Sequence, residues 1–177
     1  MFDLNEKVIY PGYGVAKINR IVEKKVAGKN TSFFELLFIN KDMTILVPTQ
    51  NLTSVGIRRL SSCENINSIL KKLSEPTNDS LQDLTASNWN KRNKEYQCKL
   101  RTGNFQEICK IYRDLRHIAA QKELSFGEKN LLSQTEALLV EEISLVNQMG
   151  EEKAIEHLRG YINYHHVPKM PQMAKNI

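Results

Sequence analysis

The feature that most restricts how this chain can fold is a change of hydrophobic period near residue 60. Before it, apolar residues come in short runs closed by turn residues; after it, they recur every three or four positions. Lys7-Val-Ile-Tyr10 ends at Pro11-Gly12, and the chain resumes at Gly14 into Val15–Val22. Ala27-Gly28-Lys29-Asn30 reads as a hairpin-type turn leading into the aromatic and branched run Phe33–Ile39. Asn40-Lys-Asp42 then turns the chain into Met43–Val47, which Pro48 stops. Short, closely spaced runs of this kind predict a small curled antiparallel sheet or barrel. So small a module has a marginal core and open strand edges, and an open edge invites pairing with another polypeptide.

From residue 61 the signals are helical. Ser61 and Glu64 are spaced as a capping box ahead of Ile66, Ile69, Leu70 and Leu73. Residues 74–88 are polar, contain Pro76, and read as a connecting loop. A helix is expected from Trp89 to Leu100, with Gly103 marking its end. The next starts near Asn104 and carries Phe105, Ile108, Ile111, Tyr112, Leu115 and Ile118 on one side. Ser125-x-x-Glu128 is a second capping box; it opens a long helix that Gly150 interrupts, and residues 151–164 repeat the pattern more weakly. The fold class is α+β: a small antiparallel β-module over residues 1–58, a compact all-helical domain over 61–164, and a flexible tail over 165–177.

Charge narrows the partners. Of 177 residues with a net charge of +5, residues 1–60 hold nine basic and five acidic side chains, and residues 61–88 hold two and four. Residues 89–122 hold nine and three; residues 123–177 hold five and eight. The positive charge is therefore concentrated in one block, which suggests an anionic partner, with a solvated helix face as the alternative. The odd cysteines Cys63, Cys98 and Cys109 lack CxxC spacing and read as reduced thiols, with Cys98 and Cys109 as buried structural residues. No apolar run is long enough to span a membrane, and MFDLNEKVIY lacks the pattern of a secretory signal, so a cytoplasmic protein without a membrane partner is expected. His117, His157, His165 and His166 do not have HExxH spacing, and Gly12-x-Gly14 is a turn rather than a phosphate cradle. No catalytic set, metal site or cofactor is expected.

The basic block begins at Trp89, the single tryptophan. Most tryptophans pack in a core with the indole N–H satisfied. This one stands at the start of its helix, among Lys91, Arg92 and Lys94, where the helix dipole disfavours cations. A bound phosphate backbone gives those cations a reason, and an apolar wedge among Lys and Arg is how minor-groove binders pry at a base step. Lys99, Arg101, Lys110, Arg113 and Arg116 either extend that track or keep the domain soluble. An RNA- or ribosome-associated binding module is the alternative function, since small β-barrels with a basic helical partner serve there too.

Several short motifs, in order along residues 3–160, resemble the CarD/CdnL family of bacterial transcription regulators. They are Val8-Ile-Tyr-Pro-x-x-Gly14, Thr44-x-x-Val-Pro48 with Asn51 and Val55-Gly56, Asn88-Trp89, Arg113-Asp-Leu115, and Leu124-Ser-x-Gly-Glu-Lys129. The resemblance implies that residues 1–58 form a Tudor-like domain that docks on the RNA polymerase β subunit. It implies that the helical domain lies on promoter DNA at the upstream edge of the melted bubble. Trp89 then matches the family's minor-groove wedge, Lys91, Arg92 and Lys94 match backbone contacts, and Lys129 matches the lysine of the Gly-Glu-Lys motif. Lys24 matches a basic position that some members carry on the polymerase-binding surface, to which Leu46, Val47 and Pro48 also belong. Leu46 departs from the pattern, because well-known family members carry Arg directly before Val-Pro.

Overall fold

The structure is a computed structural model that describes residues 2–75 and 88–162. Its N-terminal part is a five-stranded antiparallel sheet in the order β4-β3-β2-β1-β5. The strands are β1 Lys7–Tyr10, β2 Gly14–Val26, β3 Lys29–Phe38, β4 Thr44–Pro48 and β5 Arg58–Arg59, with a single helical turn, α1, at Leu52–Val55. Strands β2 and β3 are longer than the apolar runs suggest. Ala27 and Gly28 take φ of 50° and 81°, the positive pair that a tight two-residue hairpin requires, so pairing runs out to Val26↔Lys29. A bulge between Ile18 and Arg20 separates the buried half of β2 from this exposed arm. Alternate residues Ala16 and Ile18, and Phe34, Leu36 and Phe38, join Val8, Val47, Leu52 and Ile57 in one core. This is the α+β arrangement expected, and the connections from β1 to β4 are the turns marked by Gly and Asn.

Among the described residues the helical part comprises α2 Cys63–Leu73, α3 Trp89–Leu100, α4 Phe105–Gln121, α5 Phe126–Val146 and α6 Glu151–Tyr161. Its core takes Ile66 and Leu70 from α2, Tyr96 and Leu100 from α3, Ile111, Tyr112 and Leu115 from α4, Leu139 and Ile143 from α5, and Leu158 from α6. Side-chain caps start α2 to α5, whereas α6 begins at Gly150 without one. Asn88 and Asn104 accept bonds from first-turn N–H groups, and the Ser125–Glu128 capping box is present with both reciprocal bonds. The box expected at Ser61 and Glu64 does not form. Ser62 is the cap, accepting the Asn65 N–H at 3.2 Å, because Ser61 is engaged elsewhere. Cys109 is buried, and burial pushes its thiol pKa up, but Cys98 is exposed, contrary to expectation. The tail and most of the connecting loop lie outside the described residues.

The β-sheet and the helices meet through a polar joint centred on α5. Glu142, 2 % exposed, receives Arg58 Nη1 and Nη2 at 2.8 Å each and the Ser61 N–H at 2.8 Å. Arg58 Nε donates to the Gly103 carbonyl at 2.7 Å. Glu141 beside it accepts the Val15 N–H at 3.2 Å, over Gly14, where a Cβ would stand 2.1 Å from the carboxylate. Gly14 has φ of 107° as well, so both backbone conformation and space demand glycine there. Burial raises the Glu141 pKa, against the Val15 hydrogen bond and nearby Lys41. Pro11 fills the gap between Gly56 and Gly103, so the Pro-x-x-Gly turn is a packing element of the joint.

Candidate nucleic-acid and protein-binding surfaces

Trp89 is the first residue of α3 and is half-buried, packed against the margin of the helical core. Its indole lies over Gly127 at the start of α5: a Cβ on Gly127 would come within 3.0 Å of Cζ2 and 3.2 Å of Nε1. Any larger residue would push the indole outward by a few tenths of an ångström, a role the sequence reading did not assign to Gly127. The tryptophan is thus neither a core residue nor a free one; it rests on Gly127 and the core margin and stays partly exposed.

Arg92, one turn along, is expected among the backbone contacts, and the structure shows it engaged inside the protein. The residue is 5 % exposed, its Nη2 bonds Glu128 Oε1 at 2.7 Å, and its guanidinium lies 5.8 Å from the indole centroid. Glu128 is 2 % exposed and also accepts from the Ser125 N–H and hydroxyl. Burial raises the carboxyl pKa, but Ser125, Lys122 and Arg92 outweigh it and hold the group below the usual carboxylate range. An internal carboxylate therefore answers the dipole objection for Arg92, and no phosphate is needed to explain its position.

Lys91 and Lys94 are exposed and make no ion pair among the described residues. Their spacing puts them on one face of α3, separate from the face of Trp89 and Arg92. Lys129 is exposed and reaches Glu123 at 2.9 Å, an open surface pair of little worth. Exposed Lys122 lies within electrostatic reach of Glu128. The indole is seated on the start of α5, where Lys122 and Lys129 are exposed, while Lys91 and Lys94 lie on another face of α3.

The second surface is the edge of the sheet. Among the described residues strand β4 pairs only with β3, in the register Phe33↔Pro48, Phe34↔Val47, Glu35↔Leu46 and Leu36↔Ile45. The bonds Phe38 N→Met43 O and Thr49 N→Ser32 O fix the phase of this ladder. Antiparallel alternation then directs the backbone groups of Ile45 and Val47 at β3, and those of Thr44 and Leu46 outward. Val47, expected in the contact set, has its side chain 4 % exposed in the core and its backbone turned to β3. Leu46 has the opposite character. It turns its N–H and C=O to the open edge and places its side chain on the outer face beside Glu35, which Arg20 and Asn19 hold at 2.7–3.1 Å. Pro48 shares that face, and Lys24 is exposed on the hairpin arm opposite Thr31.

No helix among the described residues is long and apolar enough to cross a membrane. Comparison with known families matches residues 2–61 to the CarD-like/TRCF RID domain and residues 68–159 to the CarD C-terminal domain. YdeB of Bacillus subtilis (strain 168), whose name classes it as a candidate transcription factor, is 25% identical over 153 residues, 86% of this chain and 97% of YdeB. The NMR structure of the 72-residue N-terminal domain of Myxococcus xanthus CarD matches 33% of this chain and 79% of that domain, at 25% identity and a TM-score of 0.29. Both CarD domain models match in chain order, and the C-terminal one alone takes in more than half of the chain, so the protein belongs to the CarD/CdnL family of transcription regulators and carries its RNA-polymerase-interacting domain at the N-terminal end.

Proposed function

We propose that this protein docks on the RNA polymerase β subunit through the open edge of β4 and stabilises the promoter open complex through Trp89. The observation that carries the reading is the indole itself: a large apolar ring seated on Gly127 and still partly exposed, at the head of the chain's most basic block. Docking uses the outward backbone of Thr44 and Leu46 to add a strand of the partner, with the side chains of Leu46 and Pro48, and Lys24 on the arm, fixing its choice. Leu46 favours an apolar side chain opposite it, where an arginine would favour a carboxylate.

On the DNA side the indole wedges into the minor groove at the upstream edge of the bubble, while Lys91, Lys94 and Lys129 hold phosphates without reading sequence. No catalysis is needed. A protein that binds the melted state better than the closed one shifts that equilibrium by its differential affinity. Stacking on an aromatic ring is worth ~1–3 kcal/mol per base, enough for roughly a tenfold shift or more. Binding of the isolated protein to DNA is then weak and falls steeply with salt.

A pair of variants separates the two surfaces. Leu46→Pro removes one outward N–H from the edge strand while leaving every β3–β4 bond in place, and capture of RNA polymerase by the tagged protein should fall. Trp89→Ala should capture polymerase as the native chain does. Undiminished capture by Leu46→Pro would count against edge docking. Recovery of ribosomal proteins without polymerase would instead favour an RNA- or ribosome-associated role.

A further inference from the structure

Phe126 is 81 % exposed; the other exposed large apolar side chains among the described residues (Leu4, Tyr13, Ile21, Val26, Leu37 and Ile39) all lie in the β-sheet part and range from 40 to 52 %. Its place in the helix does not account for it. Phe126 is the first residue of α5, where the capping work is done by Ser125 and Glu128. The apolar residue that anchors the chain's entry into the helix is Leu124, 7 % exposed. The ring of Phe126 contributes little to the fold.

Its neighbours give it a context. Gly127, the next residue, is the seat of the Trp89 indole, so the backbone of Phe126 lies one peptide unit, ~3.8 Å between Cα atoms, from that seat. The exposed Phe126 ring and the partly exposed indole thus start from neighbouring points at the head of α5. Lys122 and Lys129 lie four residues before and three residues after Phe126, and both are exposed. Two acids are near. Glu128 is buried and committed to Arg92 and Ser125, and Glu123, 86 % exposed by its side chain, is offset by Lys129. Aromatic faces bordered by cations are the arrangement that holds nucleic-acid bases by stacking and phosphates by charge.

We propose that Phe126 is a second base-stacking surface acting with Trp89 on the same DNA step, the phenyl ring receiving a base that the indole has unstacked. This rests on the reading of Trp89 given above and extends it: the ligand is a junction between duplex and single-stranded DNA, in preference to intact duplex. The position of Lys129 suits this use, because its exposed pair with Glu123 can exchange for a phosphate at little cost.

The test is binding of the full-length protein at low salt to a labelled fork DNA and to a duplex of the same sequence. The native chain should prefer the fork. Phe126→Ala should reduce that preference by about tenfold, the size expected for one lost stack, and Phe126→Tyr should keep it. Because the ring is exposed, the thermal midpoint of Phe126→Ala should stay at the native value, which makes the binding result interpretable. A fork preference unchanged in Phe126→Ala overturns the proposal, and so does full restoration by Phe126→Leu, which would signify an apolar contact such as a protein partner makes. Loss with Trp89→Ala but not with Phe126→Ala overturns the pair and leaves the wedge standing. No loss with Trp89→Ala overturns the wedge and the pair with it.

Discussion

At the scale of single residues, the depth of the indole is set by Gly127 and by the buried pair one turn away. Gly127 has ordinary helical φ, so alanine there costs nothing in backbone conformation, but its Cβ would press on Cζ2 and Nε1 of Trp89. Gly127→Ala should leave stability close to native, the helix gain of up to ~1 kcal/mol offsetting the lost contact. Because Trp89 is the single tryptophan, the displaced indole should report itself as a red-shifted emission; an unchanged spectrum would contradict the seating described. Glu128→Gln keeps a cap acceptor but leaves Arg92 buried beside a neutral group, and should cost about 3 kcal/mol in denaturant unfolding. The native carboxyl is held below its usual range, so it contributes stability above the unfolded pKa that is lost as pH falls through the folded one. The difference between native and Glu128→Gln should therefore narrow on acidification below about pH 4. Arg92 also shows what a linear sequence conceals. Its basic neighbours and family position suggested a surface contact, and only its meeting with Glu128, 36 residues away, reveals a structural ion pair.

At the scale of elements, β4 is the strand whose two sides have separate uses. Ile45 and Val47 bond to β3, and Thr44 and Leu46 face the open edge. The same substitution one residue apart should then have opposite effects. Leu46→Pro should leave the thermal midpoint within a few degrees of native, since proline is tolerated where an edge N–H faces solvent. Val47→Pro removes a ladder bond to Phe34 and disturbs a buried side chain, and should destabilise by about 3 kcal/mol or more. Equal loss in both would mean that the ladder phase is not as described. Strands, turns and the second capping box were legible because each is written within a few residues: Pro11-Gly12, Ala27-Gly28 and Ser125-x-x-Glu128 carry their own geometry. The first capping box was misread by one residue for a tertiary reason. Ser61 and Ser62 are equivalent in sequence, and the Ser61 N–H is claimed by Glu142, 81 residues away.

At the scale of the molecule, the joint between sheet and helices couples the surface read as docking on polymerase to the surface read as touching DNA. Its bonds link residues 84 and 126 positions apart, and nothing in a charge count or a period marks Glu141 or Glu142 as interior. Arg58→Ala leaves Glu142 buried without its partner and should cost about 3 kcal/mol. Glu141 should show the reverse pH dependence from Glu128. Its pKa is raised by burial, so the folded state binds the proton more tightly and stability declines as pH rises from the unfolded value through the folded one. Glu141→Gln should therefore raise the thermal midpoint at pH 8 and give no gain at pH 4; a gain equal at both would contradict the assignment. The distance between the edge strand and the indole is fixed only while this joint holds, and Arg58→Ala should weaken action on promoters more than it weakens capture of polymerase.

The central claim is that the exposed side of one indole prolongs the open state. The most direct measurement is the half-life of open promoter complexes formed by the cognate polymerase, with native protein or with Trp89→Ala added at saturating concentration. The account predicts that the native protein lengthens the half-life and that Trp89→Ala, folded and still bound to polymerase, loses that effect by about tenfold. A half-life with Trp89→Ala equal to that with the native protein would contradict it.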